Sequence, residues 1–466
     1  MPGVCNRRSG RRGRLTWPFL VVLTAAMALL AAACSSPGAP APAEPAKVVS
    51  PPDTPAGAQL RWLIAATAHL PVSGVQARAH FDAAFLTQIS PAMLNQGLQE
   101  ATDVKLLSIE ASEPSTLIAI VSTSGVLSRA QVALTTGSRG LISGLTIRPP
   151  LPPSPATWAG VDAAVRSVAP QVRMLVANVT SGSCQPVHSI DPATAAPLGS
   201  AFKLYVLDAL GNAVASGKVG WNQLLTITAQ LKSLPSGELQ TEPDGTRISV
   251  QDTAAKMISI SDNTAANMLI NLVGRPAVET ALTTTGMADP ARDRPFLTTR
   301  ELFILKLDQW PALANRYIAA NEAGRRALLA TTVDPAPLPA LAAAKAWTTP
   351  RDINSLEWFA SADDICRAYT SLAALARRPG LSPIGQVLSL NDGGLQLDPA
   401  QWKTTWFKGG SEPGVLTLTY LATTRTGHSY VVAVLAENPS QPINEATAVP
   451  AMLSAVKGAF TLAARN

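Results

Sequence analysis

The sequence predicts a two-domain α+β protein, a small α+β unit with a curved sheet followed by a larger α/β sandwich. Three observations carry this. The apolar period changes from helical to alternating after Asp103. Residues 149–155, Pro-Pro-Leu-Pro-Pro-Ser-Pro, form a stiff linker between two patterned regions. Beyond it strands come first, helices follow, and strands return from about Trp406, so both ends of that region supply one sheet.

The chain has 466 residues, 47% hydrophobic and 15% charged, which suits a folded exported protein rather than a disordered one. Arg7, Arg8, Arg11, Arg12 and Arg14 account for all but one of the six net positive charges. No basic surface for nucleic acid follows from the remainder. Residues 1–34 read as an export signal, an arginine-rich start and an apolar run from Trp17 to Leu30. Ala31-Ala32-Ala33-Cys34 looks like a bacterial lipoprotein cleavage site, with Cys34 as the lipid-bearing residue and plain signal-peptidase cleavage nearby as the alternative. The expected location is the outer face of the cell membrane, through that lipid anchor. Residues 35–57, rich in Pro, Ala and Ser, read as a tether.

Residues 58–148 form the first domain. Leu60, Leu63, Ile64, Phe81, Phe85, Ile89, Met93, Leu94 and Leu98 recur at helical spacing. Val104–Ile109, Thr116–Ser122, Ala130–Thr135 and Leu141–Ile147 read as four strands. Residues 149–156 are the linker, and 157–466 the second domain. It begins with a helix (Trp158–Val168), a strand (Val172–Val179), a turn at Ser181-Gly182-Ser183 and a strand (Cys184–Ile190).

The chemistry centres on Gly199-Ser200-Ala201-Phe202-Lys203. Gly199 interrupts the chain before an apolar helix, which places Ser200 at the helix start and Lys203 on the same face one turn on. A hydroxyl needs a neighbouring base to become a nucleophile, and a lysine desolvated by burial supplies one. A second S-x-x-K, Ser454 to Lys457, falls in a plain amphipathic C-terminal helix. Ser261-Asp262-Asn263 follows 61 residues after Ser200, at a loop where Asp262 and Asn263 start a helix. Lys408-Gly409-Gly410-Ser411 ends an apolar strand whose glycines leave room for a substrate backbone. Four scattered histidines show no metal-ligand spacing, and the reading implies neither metal nor cofactor. Cys184 and Cys366 are either a disulfide or two buried thiols.

S-x-x-K, S-D-N and K-x-G in this order resemble the class A serine β-lactamases and penicillin-binding proteins. The stretch Ser261-Asp262-Asn263-Thr264-Ala265-Ala266-Asn267 is especially similar to class A. The first domain resembles the ketosteroid-isomerase and nuclear-transport-factor-2 fold. The two together are similar to actinobacterial lipoproteins and to the clavulanate-pathway cephalosporin esterase. The resemblance implies Ser200 as nucleophile, Lys203 as its base and Ser261 as proton relay to the leaving group, biased by Lys408. It also implies Asn263 as ligand to a substrate amide, with the N–H groups of Ser200 and Ser411 as oxyanion hole and Gly410 in the substrate-binding strand edge.

Two departures qualify the expectation. Gly409 stands where the family carries threonine or serine, a hydroxyl that grips the substrate carboxylate, and Ser411 is the expected substitute. The family's E-x-x-L-N loop, whose glutamate activates the deacylating water, is missing. Glu301 reads better as part of a capping box with Thr298, and Glu357 is an outside candidate. Residues 302–352 look like an alanine-rich helical insertion broken by Pro335, Pro337 and Pro339. The expected activity is acyl-enzyme formation at Ser200 with a small-molecule acyl substrate, a β-lactam, an ester or a related, peptidoglycan-type amide, followed by slow deacylation. A non-catalytic ligand-binding lipoprotein and a D-alanyl carboxypeptidase are the alternatives.

Overall fold

The computed structural model describes residues 49–125 and 128–465; the signal segment, Cys34 and most of the tether lie outside them. Thr54 accepts from the Gly57 N–H and Pro55 occupies the first turn, so a helix starts at once (Pro55–Thr67). The tether read as reaching residue 57 therefore gives way to helix three residues earlier. The Gly57 position explains the fit, because a Cβ there would lie 2.0 Å from the Pro52 carbonyl oxygen.

Three shorter helices lead into a four-stranded antiparallel sheet, β1 (Lys105–Glu113), β2 (Thr116–Ser122), β3 (Arg129–Thr136) and β4 (Ile142–Arg148), in that order. Leu60, Leu63, Leu98, Leu117, Val121 and Val132 are among the residues that close its core. The proline linker is held down, since Ser454 Oγ donates to the Pro153 carbonyl at 3.0 Å. That second S-x-x-K serine is thus structural, and its helix (Glu445–Ala463) is mostly buried rather than amphipathic.

The second region is built on an antiparallel sheet of β5 (Gln171–Asn178), β6 (Gln185–Ile190) and three strands near the C-terminus. Between them run β7 (Ala196–Pro197), β8 (Leu224–Thr226), β9 (Arg247–Ser249) and β10 (Phe359–Ala360). The sheet is completed by β11 (Trp402–Glu412), β12 (Val415–Thr424) and β13 (Ser429–Glu437) in the order β11-β12-β13-β5-β6. Helices Trp158–Arg166 and Glu445–Ala463 cover one face. The helix Lys203–Ala215 is apolar around most of its circumference, and its first nine residues are buried in the core on the other face. Cys184 and Cys366 are joined as a disulfide, which pins the approach to β6 to the helix Ala362–Ala376.

Candidate active site

Ser200 lies in a 3-10 turn, Gly199–Phe202, that runs directly into the helix beginning at Lys203. Gly199 has φ +49°, a left-handed conformation that glycine adopts without strain. The edge strand β11 presses on this turn. A Cβ at Gly410 would lie 2.2 Å from the Leu198 carbonyl oxygen and 2.4 Å from the Ser200 nitrogen. A Cβ at Gly199 would lie 2.8 Å from the Ser411 nitrogen. Two glycines thus let the backbones of Ser200 and Ser411 come together.

Lys203 is completely buried and ringed by oxygen. Its Nζ donates to Ser200 Oγ at 3.2 Å, Ser261 Oγ at 3.1 Å, the Ser261 carbonyl at 2.6 Å and Asn263 Oδ1 at 2.7 Å. An ammonium has three protons and the free amine two, so these acceptors share them. Burial, with the nearby Lys408 charge, holds the Lys203 pKa well below the ordinary lysine value. Lys408 approaches from β11, donating to Ser261 Oγ at 3.0 Å and to the Gly409 carbonyl at 2.6 Å. Burial lowers its pKa to about 7. The Ser261 hydroxyl therefore bridges two lysines that resist being charged together.

Ser261 itself has φ +57°, a sparsely populated conformation for a residue with a side chain. Its neighbours hold it there. Ser236 Oγ donates to the Ser261 carbonyl at 2.8 Å. The buried Asp262 caps the next helix through Ala265 N at 2.8 Å. Its other oxygen accepts from Glu238 N at 2.7 Å and Leu239 N at 2.9 Å. Asn263 Nδ2 donates to the Leu234 carbonyl, which orients its amide oxygen toward Lys203.

The structure thus brings Ser200, Lys203, Ser261, Asn263 and Lys408 into one hydrogen-bonded cluster, with Gly410 against the Ser200 turn. Ser411 lines the same cleft as Ser200. Side chains alternate along a strand, so Ser411 falls on the face of β11 that carries Gly409, opposite Lys408 and Gly410. The space at Gly409 is taken by an aromatic ring, because a Cβ there would lie 2.8 Å from Phe407 Cζ.

The two glutamates part company. Glu301 closes the capping box with Thr298 and pairs with Arg275 Nη2 at 2.5 Å, so it is a structural group. Glu357 is buried beside the Ser200 turn, accepting from Gly199 N at 3.2 Å and Trp358 N at 2.8 Å. It is also hydrogen-bonded to Glu412, which takes the ion pair with the fully buried Lys306 at 2.5 Å. Two carboxyls share one cation, so burial and the Glu412 charge push the Glu357 pKa up to about 8. Sequence reasoning missed this trio because Lys306 and Glu412 are 106 residues apart.

Glu357→Gln tests that state. In the unfolded chain Glu357 ionises near its ordinary value of 4.5, and in the folded protein near 8. Between these values the native state holds a proton that the unfolded state has lost, so this group's contribution falls as pH rises. The variant should gain on wild type by about 1 kcal/mol per pH unit from roughly pH 5 to 8. Urea midpoints across that range that stay parallel for the two proteins would reject the protonated assignment.

Ser200, Asn263, Ser411, Glu357 and Glu412 line one cleft, and Leu302, Phe303, Ala344 and Trp347 of the inserted helical segment complete it. Among the described residues there is no grouping of His, Cys, Asp and Glu fit to hold a metal ion.

Residues 159–356 match the family described as the β-lactamase enzyme family, and residues 51–142 match the family described as ORF 12 gene product N-terminal. No curated protein matches the chain. Among solved structures, the β-lactamase from Sphaerobacter thermophilus DSM 20745 is 21% identical, covering 66% of this chain and 97% of its own, with a TM-score of 0.47. PBP-A is 19% identical, covering 67% of this chain and 100% of its own, with a TM-score of 0.43. A mutant of PBP-A, solved as an acyl-enzyme complex with penicillin G, is 18% identical at the same coverage and TM-score.

Residues 159–356 therefore belong to a β-lactamase-like domain. More particularly, the chain carries a class A β-lactamase-like domain behind an N-terminal ORF 12-type domain.

Proposed function

We propose that the protein is an exported serine hydrolase that forms an acyl-enzyme at Ser200 with β-lactams, esters or related amides. The observation that carries this is the buried Lys203 amine, in hydrogen-bond contact with both Ser200 Oγ and Ser261 Oγ. In its uncharged form Lys203 takes the Ser200 proton as Oγ bonds to the acyl carbon. The N–H groups of Ser200 and Ser411 receive the developing oxyanion. The bond to the leaving group then breaks, and that group takes the Ser261 proton, which is restored from the lysine pair. Water completes the cycle by releasing the acid and the free serine.

Deacylation is the slow step in this reading. Glu301 is occupied by Thr298 and Arg275, and burial beside Glu412 pushes the Glu357 pKa up to about 8, which disfavours the carboxylate form that would accept a proton from water. Incubation with a fluorescent penicillin, and with a cephalosporin carrying an ester side chain, is expected to leave a covalent adduct visible by intact mass. Absence of both adduct and turnover, or activity unchanged in Ser200→Ala, would reject the proposal.

A second reading, a ligand-binding protein without catalysis, draws on Gly409, where Phe407 fills the place of the carboxylate-gripping hydroxyl. Equal ligand binding by wild type and Ser200→Ala, with the serine inert, would favour it. The proposed setting is a lipoprotein anchored through Cys34 to the outer face of the cell membrane. The proposed organisation is a tether, an isomerase-like curved-sheet domain in a packing or ligand-holding role, a proline linker and the hydrolase domain.

A further inference from the structure

We infer that the Ser200 cleft selects substrates by an apolar, uncharged acyl group. The inference rests on the acyl-enzyme reading above and names the substrate class of that same site.

The position of the cleft identifies which part of a substrate it would hold. It is lined by Ser200, Asn263 and Ser411 but not by Ser261 or Lys408. Those two residues sit where the leaving group is protonated. The cleft is therefore not the leaving-group side of the site, and we assign it to the acyl group.

The wall built by the inserted helices is apolar. Leu302, Phe303, Ala344 and Trp347 come from the inserted helices, and Pro235 and Pro413 add to them. The Phe303 and Trp347 rings meet edge to face, with centroids 6.3 Å apart, which fixes the surface they offer. Among the described residues lining the cleft there is no lysine, arginine or histidine. The charged groups that do line it are Glu357 and Glu412. Lys306 neutralises Glu412, and Glu357 shares a hydrogen bond with it. An acyl chain ending in a carboxylate would lose its water against two carboxyl groups with no free cation among the lining residues, a costly transfer. An alkyl chain gains from the same surroundings.

The test holds the leaving group constant and varies the acyl chain. Nitrophenyl acetate, butyrate and hexanoate are compared with the nitrophenyl monoester of glutaric acid, using the full folded chain. In each case the Ser200 Oγ–acyl bond forms, the ester C–O bond breaks and nitrophenol leaves with the proton. Each buried methylene is expected to raise kcat/KM about fourfold until the cleft is full, so butyrate exceeds acetate at least about tenfold. The glutarate monoester is expected to react at least about tenfold more slowly than butyrate.

Ala344→Phe, which fills the cleft, should lower the hexanoate-to-acetate ratio. Phe303→Ala, which removes part of the wall, should lower it too, so two independent variants bear on the wall. A flat chain-length profile, a preference for the glutarate ester, or unchanged ratios in both variants would overturn the inference while leaving the serine chemistry intact. Ester hydrolysis that persists in Ser200→Ala, or none by wild type, overturns the underlying reading and the inference with it.

Discussion

Lys203→Met should slow acylation of Ser200 by about 100- to 10,000-fold, the range a positioned general base contributes. Methionine keeps the length and apolar character of the stem, so the buried site still packs. What disappears is the only group in hydrogen-bond contact with both Ser200 Oγ and Ser261 Oγ among the described residues. Two acceptors keep other partners after the change. The Ser261 carbonyl retains Ser236, and Ser261 Oγ retains Lys408. Asn263 Oδ1 loses its donor, which predicts a measurable loss of stability beside the larger loss of rate. Burst kinetics with a chromogenic ester separate the two effects, because a merely destabilised protein still shows full-rate acylation below its unfolding midpoint. A burst rate within threefold of wild type would remove Lys203 from the base role.

Gly410→Ala is expected to be nearly as damaging for a different reason. The added carbon would meet Leu198 O at 2.2 Å, Ser200 N at 2.4 Å and Ala201 N at 2.8 Å. All three are backbone atoms, so relief requires β11 to withdraw from the nucleophile turn. That movement takes the Ser411 N–H away from the Ser200 N–H. Loss of one oxyanion-hole donor costs on the order of 100- to 1,000-fold in rate. Overpacking at such a contact also destabilises by about 1–3 kcal/mol. Gly220→Ala is the matched control, since a Cβ there has nothing within 4 Å. Normal acylation by Gly410→Ala would show that the contact between strand and turn does not matter to the chemistry.

The legible parts of this molecule are those where a local pattern has a local cause. The four strands of the first sheet follow alternation and turn residues, and β2 matches the expected Thr116–Ser122 run residue for residue. The placement of Ser200 and Lys203 follows from a glycine and a helical period. Asp262 was readable as a helix-starting residue, but its bonds to Glu238 and Leu239 depend on a loop that the sequence places 23 or 24 residues away. Glu301 was readable as a capping residue because both partners of the box lie within one turn.

What was not legible is long-range. Lys306 and Glu412 look like ordinary surface charges in sequence and Glu357 like an outside candidate for the water-activating glutamate, and only the fold reveals one cation shared by two carboxyls. Cys184 and Cys366 stood undecided for the same reason, since 182 residues separate them.

The account stands on an uncharged amine at Lys203 at neutral pH. Its direct measurement is an NMR titration of lysine labelled with carbon-13 and nitrogen-15, with the Lys203→Met protein identifying the resonance. A midpoint far below the ordinary 10.5 is expected, and it should rise when Lys408 is replaced by methionine, because a neighbouring positive charge has gone. A Lys203 resonance that titrates near 10.5 and ignores Lys408 would contradict it.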